Sequence, residues 1–134
     1  MKEIESGNFK KAWGGIAGLQ FSLPAIWTKA SERGFTINDM AEMMSSRVAE
    51  FLRLSNHKGK IAKGYDADLI VWYPEKEFTV TKESIVHRHK ITPYEGKQLK
   101  GVVARTYVGG ECVFKQGKFE SLNKGKILIS TKHG

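Results

Sequence analysis

The sequence predicts a helical first segment that is followed by a segment of strands and turns. Two observations carry this prediction: apolar residues recur at helical spacing up to residue 52, and β-branched and aromatic runs dominate from residue 67 onward. A third observation limits the fold class. Helices followed by strands, without alternation, argue against a self-contained parallel α/β domain, and 134 residues are too few for a complete (β/α)8 barrel of about 250. The predicted boundary lies near residues 56–59.

The first helix signal is a stripe of apolar residues at three- and four-residue intervals: Leu19, Leu23, Ile26, Trp27 and Ala30. Pro24 lies inside this stripe, so the helix either kinks at Pro24 or begins close to it. Gly34 is expected to end the helix, because glycine readily adopts the left-handed conformation that follows many helices.

Two shorter helices are predicted before the boundary. Thr36 to Asp39 resembles a capping box in which Asp replaces the usual Glu or Gln. Ser46 is expected to cap a third short helix that continues through Val48 and Phe51. Each of these helices is amphipathic and therefore needs a surface to cover.

The second segment contains four groups of strand signals. Residues 67–73 predict a strand that Pro74 ends, and residues 78–80 predict a shorter one. The clearest hairpin is formed by residues 101–108 and 111–114, which flank the turn Gly109-Gly110. Residues 127–129 predict a last strand.

Composition and charge narrow the class of protein. The chain is 40% hydrophobic and 27% charged, as in ordinary globular proteins. It lacks an apolar run of about 18 residues, and its first residues lack the apolar region of a secretory signal. Cys112 is the single cysteine, which excludes an internal disulfide and a cysteine-based zinc site and favours a reducing compartment.

The net charge of +8 is concentrated in residues 58–134, which hold fifteen Lys and Arg against eight Asp and Glu. Nucleic-acid binding is one interpretation of this excess. A solvated basic face, or one that meets an acidic neighbour, is the other. The second is favoured, because the lysines are scattered among strand-like stretches and form no recognised nucleic-acid motif.

The glycine loop, residues 12–18, is the most informative candidate site. Adjacent glycines let a ligand approach bare backbone, and the N-terminus of the following helix offers unpaired N–H groups. Such groups can bind an amide or ureide. The alternative is a loop that leads into the helix and uses glycine only for its conformation, and the pattern alone does not separate the two.

Other reactive residues are better explained by structural roles. His87 and His89 are interleaved with cationic residues, which is more typical of a polar loop than of a metal site. Asp66 and Asp68 precede a hydrophobic strand, where carboxylates commonly hold a turn. Cys112 is expected to be a buried structural thiol. The pair Ser45-Ser46 lacks the context of a nucleophile elbow.

Four stretches of the chain resemble one known family: residues 11–20, 58–69, 88–96 and 101–110. The first looks like the allantoinase form of the last barrel loop and helix of cyclic amidohydrolases. The second resembles the stretch where the chain of amidohydrolase-superfamily enzymes leaves the barrel for a small β-sandwich. The third matches a later loop in its allantoinase variety, and the fourth matches a sandwich hairpin. The resemblance extends from about Ser6 to the end of the chain.

The resemblance implies an α/β fold class, namely a metal-dependent (β/α)8 hydrolase that opens the hydantoin ring of allantoin to give allantoate in purine breakdown. Residues 1–56 would be the last barrel loop and terminal helices, and residues 57–134 the C-terminal part of the β-sandwich. The family uses two divalent metals, usually zinc, and a small-molecule substrate, and its members are homo-oligomers, commonly tetramers. A cytoplasmic location is expected, with an organelle as the alternative.

The same resemblance implies that this chain holds only part of the site. The family's metal-binding histidines, carboxylated lysine and catalytic aspartate come from sequence upstream of the position that corresponds to Lys2. No catalytic and no metal-binding residue is therefore expected in this chain, and no metal is expected for the chain alone. Gly14 is the closest match to the family's substrate-contacting loop, with Trp13 and Gly15 beside it. The helices and strands would pack on absent parts of the enzyme.

Three other functions remain open at this stage. The chain can be a non-catalytic module that joins subunits, or part of a dihydropyrimidinase- or dihydroorotase-type enzyme. Binding to nucleic acid through the basic segment is the least favoured alternative.

Overall fold

The computed structural model describes residues 7–8, 10, 14–120 and 125–128. In these residues, helical segments pack on a four-stranded antiparallel sheet of order β1-β2-β3-β4. The helices are α1 (Ser22–Glu32), α2 (Ile37–Ala41) and α3 (Arg47–Phe51); the strands are β1 (Leu69–Thr79), β2 (Gln98–Val108), β3 (Glu111–Lys115) and β4 (Lys118–Phe119). No helix in the described ranges is long and apolar enough to cross a membrane.

Helix α1 follows a 3-10 turn, Leu19–Phe21, and begins close to Pro24, one of the two predicted arrangements. Pro24 lies in the first turn, where its missing N–H removes no intrahelical hydrogen bond. Gly34 follows the helix at φ +81, which confirms the predicted stop.

The predicted apolar stripe of α1 is only partly buried. Trp27 and Ala30 are buried as expected, whereas Leu19 is 91% exposed and Ile26 is also exposed. Leu19 was wrongly placed in the stripe, because the chain forms a tighter turn there and directs Phe21 into the core instead.

The second helical stretch starts at the predicted capping box. The Thr36 hydroxyl accepts a hydrogen bond from the Asp39 amide at 3.2 Å, and the Asp39 carboxylate accepts one from the Thr36 amide at 2.7 Å. Hydrogen bonds from Thr36 hold the pKa of Asp39 below its usual value. The box therefore satisfies two donors that the helix itself leaves unpaired.

The prediction that Ser46 caps a separate third helix is wrong. Helix α2 continues through a π-helical turn, Glu42–Ser46, directly into α3. Ser46 has helical dihedral angles, φ −64 and ψ −50, and its hydroxyl donates to the Gly59 carbonyl at 3.0 Å. A tertiary contact thus uses the hydroxyl that was expected to cap a helix.

Strand β1 corrects the prediction that Pro74 ends a strand. The strand runs through Pro74 to Thr79, and its pairing with β2 shifts register between Tyr73 and Glu77. Proline is tolerated there because β1 is the first strand in the sheet order and the pairing is irregular at this point. Residues 78–79 of the predicted short strand are therefore the end of β1, and Val80 follows the strand.

The hairpin of β2 and β3 is confirmed. Gly109 and Gly110 form its turn at φ +56 and +84, values that non-glycine residues rarely adopt. Strand β4 pairs with β3 and was not predicted. The strand predicted at residues 127–129 is wrong for 127 and 128, which have no regular structure, and residue 129 lies outside the described residues.

Helix α1 and the turn before it contribute to two clusters of buried residues, and Ala25 of α1 packs against the first. The first is formed by Phe21, Val80, Ile85 and Leu99, and the second by Trp27, Ala30 and Met40 with Trp72 packed against them. The rings of Trp27 and Trp72 meet edge to face, with centroids 5.5 Å apart. The Thr28 hydroxyl accepts a hydrogen bond from the Lys100 amide at 2.8 Å. These contacts bind α1 to β1 and β2.

Gly101 lies in β2 directly beneath this ring pair. It is buried, and its φ of +99 is rarely adopted by residues with a side chain. A Cβ atom at this position would lie 2.8 Å from the Trp72 ring and 3.3 Å from the Trp27 ring. Backbone conformation and packing therefore both require glycine here.

We expect Gly101→Ala to lower the free energy of unfolding by about 2–3 kcal/mol, because it adds backbone strain and a clash with two indoles. Gly117→Ala is the matched control: Gly117 has a φ of +86, but a Cβ there meets nothing within 4 Å. That variant should lose only about 1 kcal/mol. Urea denaturation measures both, and equal losses would contradict the proposed clash.

A three-residue charge cluster joins the stretch after α3 to the sheet. The Lys58 ammonium group pairs with Asp66 at 2.9 Å and donates to Asp68, whose other oxygen accepts the Gly109 amide at 2.8 Å. Hydrogen bonds from Lys58 and then from Gly109 lower the pKa of Asp68, and the two carboxylates raise the pKa of Lys58. Both aspartates thus have structural contacts, but only Asp68 accepts a backbone amide, that of the β2–β3 turn, while Asp66 pairs with Lys58.

We expect Asp68→Asn to lower the free energy of unfolding by about 1 kcal/mol at pH 7, because a half-exposed charged hydrogen bond is weakened. A lowered folded pKa stabilises the fold above the ordinary carboxyl pKa of about 3.9, and this stabilisation disappears as the pH falls through the folded value. The difference in free energy of unfolding between Asp68→Asn and the wild type should therefore be smaller at pH 3 than at pH 7, as measured by urea titration.

Glu32→Gln provides the control for this experiment, because Glu32 pairs with Lys29 on an exposed helix face. Glu32→Gln should lower the free energy of unfolding at pH 7 by less than Asp68→Asn does. If the Asp68→Asn difference stays constant between pH 7 and pH 3, the ion pair is not its cause.

Candidate functional site

The front of the glycine loop, Gly14 and Gly15, presents bare backbone to solvent. Both residues are exposed, and a Cβ at either position would meet nothing within 4 Å. Gly15 has a φ of +76. Across the portion of the chain described by the structure, no hydrogen bond engages the backbone groups of these two residues. Trp13, the third predicted contact residue, lies outside the described residues.

The back of the glycine loop is held by three hydrogen bonds to its carbonyl groups. The Ile16 carbonyl accepts the Gly18 amide at 3.0 Å, and the Gly18 carbonyl accepts the Phe21 amide at 3.0 Å. The Ala17 carbonyl accepts the hydroxyl of Thr92 at 2.7 Å. The loop thus has an engaged back and an open front.

Gln20 forms a second connection between the start of the helical segment and the loop that follows β1. Its amide nitrogen donates to the Ser84 carbonyl at 2.7 Å, and its amide oxygen accepts the Val86 amide at 3.0 Å. Both polar ends of one side chain are therefore satisfied by the backbone of a segment more than sixty residues away.

Sequence reasoning did not identify Thr92, Gln20 or Tyr94 as part of this region. Tyr94 approaches so closely that a Cβ on Gly18 would lie 3.1 Å from its ring. Periodicity gives no signal for side chains in irregular loops. The available signal was that residues 11–20 and 88–96 both have an allantoinase-like form, and the structure brings these two stretches together.

The histidine pair lies in a loop, as predicted. His89 is exposed; His87 is half-buried, and its Nε2 atom is buried without a hydrogen-bond partner among the described residues. Lys90 donates from its ammonium group to the Ile85 carbonyl, so a cation occupies the same loop. Within the described ranges, no group of three or more His, Cys, Asp or Glu side chains is arranged to hold a metal ion.

Cys112 lies in β3, as predicted, but it is only half-buried and donates to the Phe114 carbonyl at 3.4 Å. The expectation of a fully buried thiol is wrong because this end of the sheet carries a shallow hollow. Arg105, Tyr107, Lys115 and Glu120 line the hollow together with Cys112. Ser45 is exposed on the π-helical turn.

An open groove of about 770 Å³ lies between the second helical stretch and β1. Its walls are mainly apolar and include Leu23, Met40, Met44, Leu52, Leu69 and Trp72. The charged cluster of Lys58, Asp66 and Asp68 also lines the groove. Such a surface is suited to packing against other protein rather than to acid–base chemistry.

Comparison with known proteins places this geometry in a family. The profile of the amidohydrolase family matches residues 13–113. The allantoinase of Streptomyces avermitilis is 44% identical over 126 residues, which cover 94% of this chain and 28% of that protein. A probable allantoinase of Oryza sativa subsp. japonica is 42% identical over 132 residues, covering 97% of this chain and 26% of that protein.

Solved structures of hydantoinases are also similar to this chain. A D-hydantoinase structure matches 84% of this chain with a TM-score of 0.77 and 25% identity, and 24% of that protein is covered. The L-hydantoinase (dihydropyrimidinase) from Arthrobacter aurescens matches with a TM-score of 0.76 and 27% identity over 84% of this chain and 25% of that protein. The chain thus spans about a quarter of the length of these relatives. From these matches we conclude that the chain belongs to the amidohydrolase family.

Proposed function

We propose that this chain is the part of an allantoinase-type cyclic amidohydrolase that forms the backbone rim of the substrate pocket. The enzyme would open the hydantoin ring of allantoin to give allantoate in purine breakdown. The observation that carries this proposal is the open backbone of Gly14 and Gly15, in a chain whose relatives at 44% and 42% identity are named allantoinase or probable allantoinase.

The chemistry of a cyclic ureide suits this loop front. Such a ring carries N–H donors and carbonyl acceptors along one edge, and a peptide backbone offers the complementary acceptors and donors. Glycine adds no side chain, so the flat ring can approach the peptide groups closely. The proposed contacts are backbone hydrogen bonds from Gly14 and Gly15, with Trp13 beside them.

The described residues do not fit a metal pair, so the metal ligands would come from other parts of a longer enzyme. Two divalent metals, zinc by resemblance, would supply a metal-activated hydroxide and polarise the scissile carbonyl when bound. This chain would contribute recognition and orientation of the ring, which lower the entropic barrier to reaction.

Exposed apolar residues support the proposal that other protein covers this chain. Leu19, Phe51 and Ile61 are 91%, 85% and 89% exposed, and the apolar groove beside β1 is open. Isolated exposed apolar residues are common, but a continuous apolar groove indicates an interface. We propose that residues 1–56 form the last barrel loop and terminal helices, and that residues 57–134 form the C-terminal part of the β-sandwich. The longer enzyme would be a cytoplasmic homo-oligomer, a tetramer by resemblance.

Two alternatives keep specific support. A hydantoinase or dihydropyrimidinase activity is favoured by the names of the similar structures. A subunit-joining role without catalysis is favoured by the same apolar groove. If the longer enzyme that contains this chain hydrolyses hydantoin or dihydrouracil in preference to allantoin, the first alternative is supported. Co-purification of the isolated chain with a complete enzyme would support the second.

We expect a chimera to hydrolyse allantoin when this chain replaces the matching segment of the Streptomyces avermitilis allantoinase. The isolated chain should show no turnover, because the described residues supply no metal-ligand set. Allantoate formation measures both. An inactive chimera beside an active parent enzyme would contradict the proposal, and so would chelator-sensitive turnover by the isolated chain.

In the chimera, Gly14→Val should raise KM for allantoin about tenfold or more, because a branched side chain would keep the ring from the backbone. Gly125→Val is the matched control: neither glycine has a positive φ, and a Cβ at either meets nothing within 4 Å. The control should leave KM unchanged. Equal KM values for the two variants would remove Gly14 from the proposed rim.

A further inference from the structure

We propose that Thr92 is a positioning residue for substrate binding, because its hydroxyl fixes the back of the glycine loop from a distant part of the chain. The inference rests on the proposed function, since it assigns a role in binding the cyclic amide. Thr92 would not touch the substrate. It would act through Ala17, whose carbonyl accepts the Thr92 hydroxyl at 2.7 Å.

The burial of Thr92 makes this hydrogen bond persistent. The residue is only 7% exposed, and it lies in an otherwise exposed stretch between Ile91 and Pro93. A buried hydroxyl without a partner is unfavourable by about 1–3 kcal/mol. The Thr92 hydroxyl donates to the Ala17 carbonyl at 2.7 Å, and the hydroxyl oxygen itself accepts the Tyr94 amide at 3.5 Å.

The position of the contact determines what it can control. Ala17 lies two residues after Gly15, and the neighbouring Ile16 and Gly18 carbonyls are already engaged by local hydrogen bonds. With all three carbonyls held, the loop front retains its open peptide groups in one orientation. Releasing Ala17 would give the glycines more conformations, and the substrate would have to restrict them on binding.

Two further contacts hold the loop that carries Thr92. The Tyr94 ring packs edge to face on Phe21 with centroids 6.3 Å apart. Gln20 binds the Ser84 carbonyl and the Val86 amide through its two amide atoms. The loop after β1, which carries Thr92, is therefore connected to Gln20 and Phe21 of the turn that leads into α1.

The allantoin-hydrolysing chimera described above tests the role with Thr92→Val, which keeps the shape and removes the hydroxyl. We expect KM for allantoin to rise about tenfold while kcat stays within about twofold, because ring binding is weakened and the reacting groups are untouched. Thr92→Ser keeps the hydroxyl and should restore KM to near the unsubstituted value. Thr106→Val is the control, because Thr106 lies in strand β2 and outside the glycine loop. It should change neither KM nor kcat.

Hydrogen exchange supplies a second readout that a purely structural role would not move selectively. A peptide covering the glycine loop should exchange faster in Thr92→Val than in Thr92→Ser, with unchanged exchange in the β2–β3 hairpin. If Thr92→Val does not fold, Gln20→Met decides the question, since it removes both hydrogen bonds to the loop after β1 and should raise KM in the same way.

The outcomes separate this inference from the proposed function. An unsubstituted chimera without allantoin turnover sinks the proposed function. An active chimera in which Thr92→Val, or its replacement Gln20→Met, behaves like Thr106→Val overturns the positioning role alone. The role is also overturned if Thr92→Ser raises KM as much as Thr92→Val, because the hydroxyl would then not be the cause.

Discussion

The contact between Trp27 and Trp72 over Gly101 is the constraint on which the described fold depends. It is the place where the long helix, the edge strand β1 and the central strand β2 meet, and each contributes one residue. The Trp27 indole N–H also donates to the Pro74 carbonyl at 2.8 Å, so the polar atom of the buried ring is satisfied. Aromatic rings with a satisfied polar end combine large apolar burial with a fixed orientation.

The candidate site depends on that contact indirectly. Because α1 is fixed on the sheet, the turn that precedes it has a defined origin, and the glycine loop extends from this turn. The second attachment comes from the loop after β1, through Thr92 and Gln20. The candidate site is thus a loop attached at two places, which matches the general arrangement in which a rigid scaffold positions functional loops.

Local patterns predicted much of the fold, and long-range contacts account for what they missed. The capping box at Thr36 and the Gly109-Gly110 turn are set by neighbouring residues, and both were confirmed. Ser46 was misassigned because its hydroxyl binds Gly59, thirteen residues away. Pro74 was misassigned because only the sheet order shows that its strand lies at an edge.

The same distinction applies to the site. Gly14 and Gly15 could be proposed from two adjacent glycines before a helix, and their role in binding stays a prediction. Thr92 could not be proposed from the sequence alone, because its partner lies 75 residues earlier and neither residue belongs to a periodic element. The pairing of two family-like stretches was visible in the sequence, but the hydrogen bond between them was not.

The edge-to-face tryptophan pair also gives the chain an internal optical reporter. The two indole centroids lie 5.5 Å apart, so we expect their electronic transitions to couple and to give a paired positive and negative band in the circular dichroism spectrum. The signal requires both rings to keep their mutual orientation, so it follows the docking of α1 on the sheet rather than its helicity. Spectroscopy can therefore distinguish an undocked helix from an unfolded one.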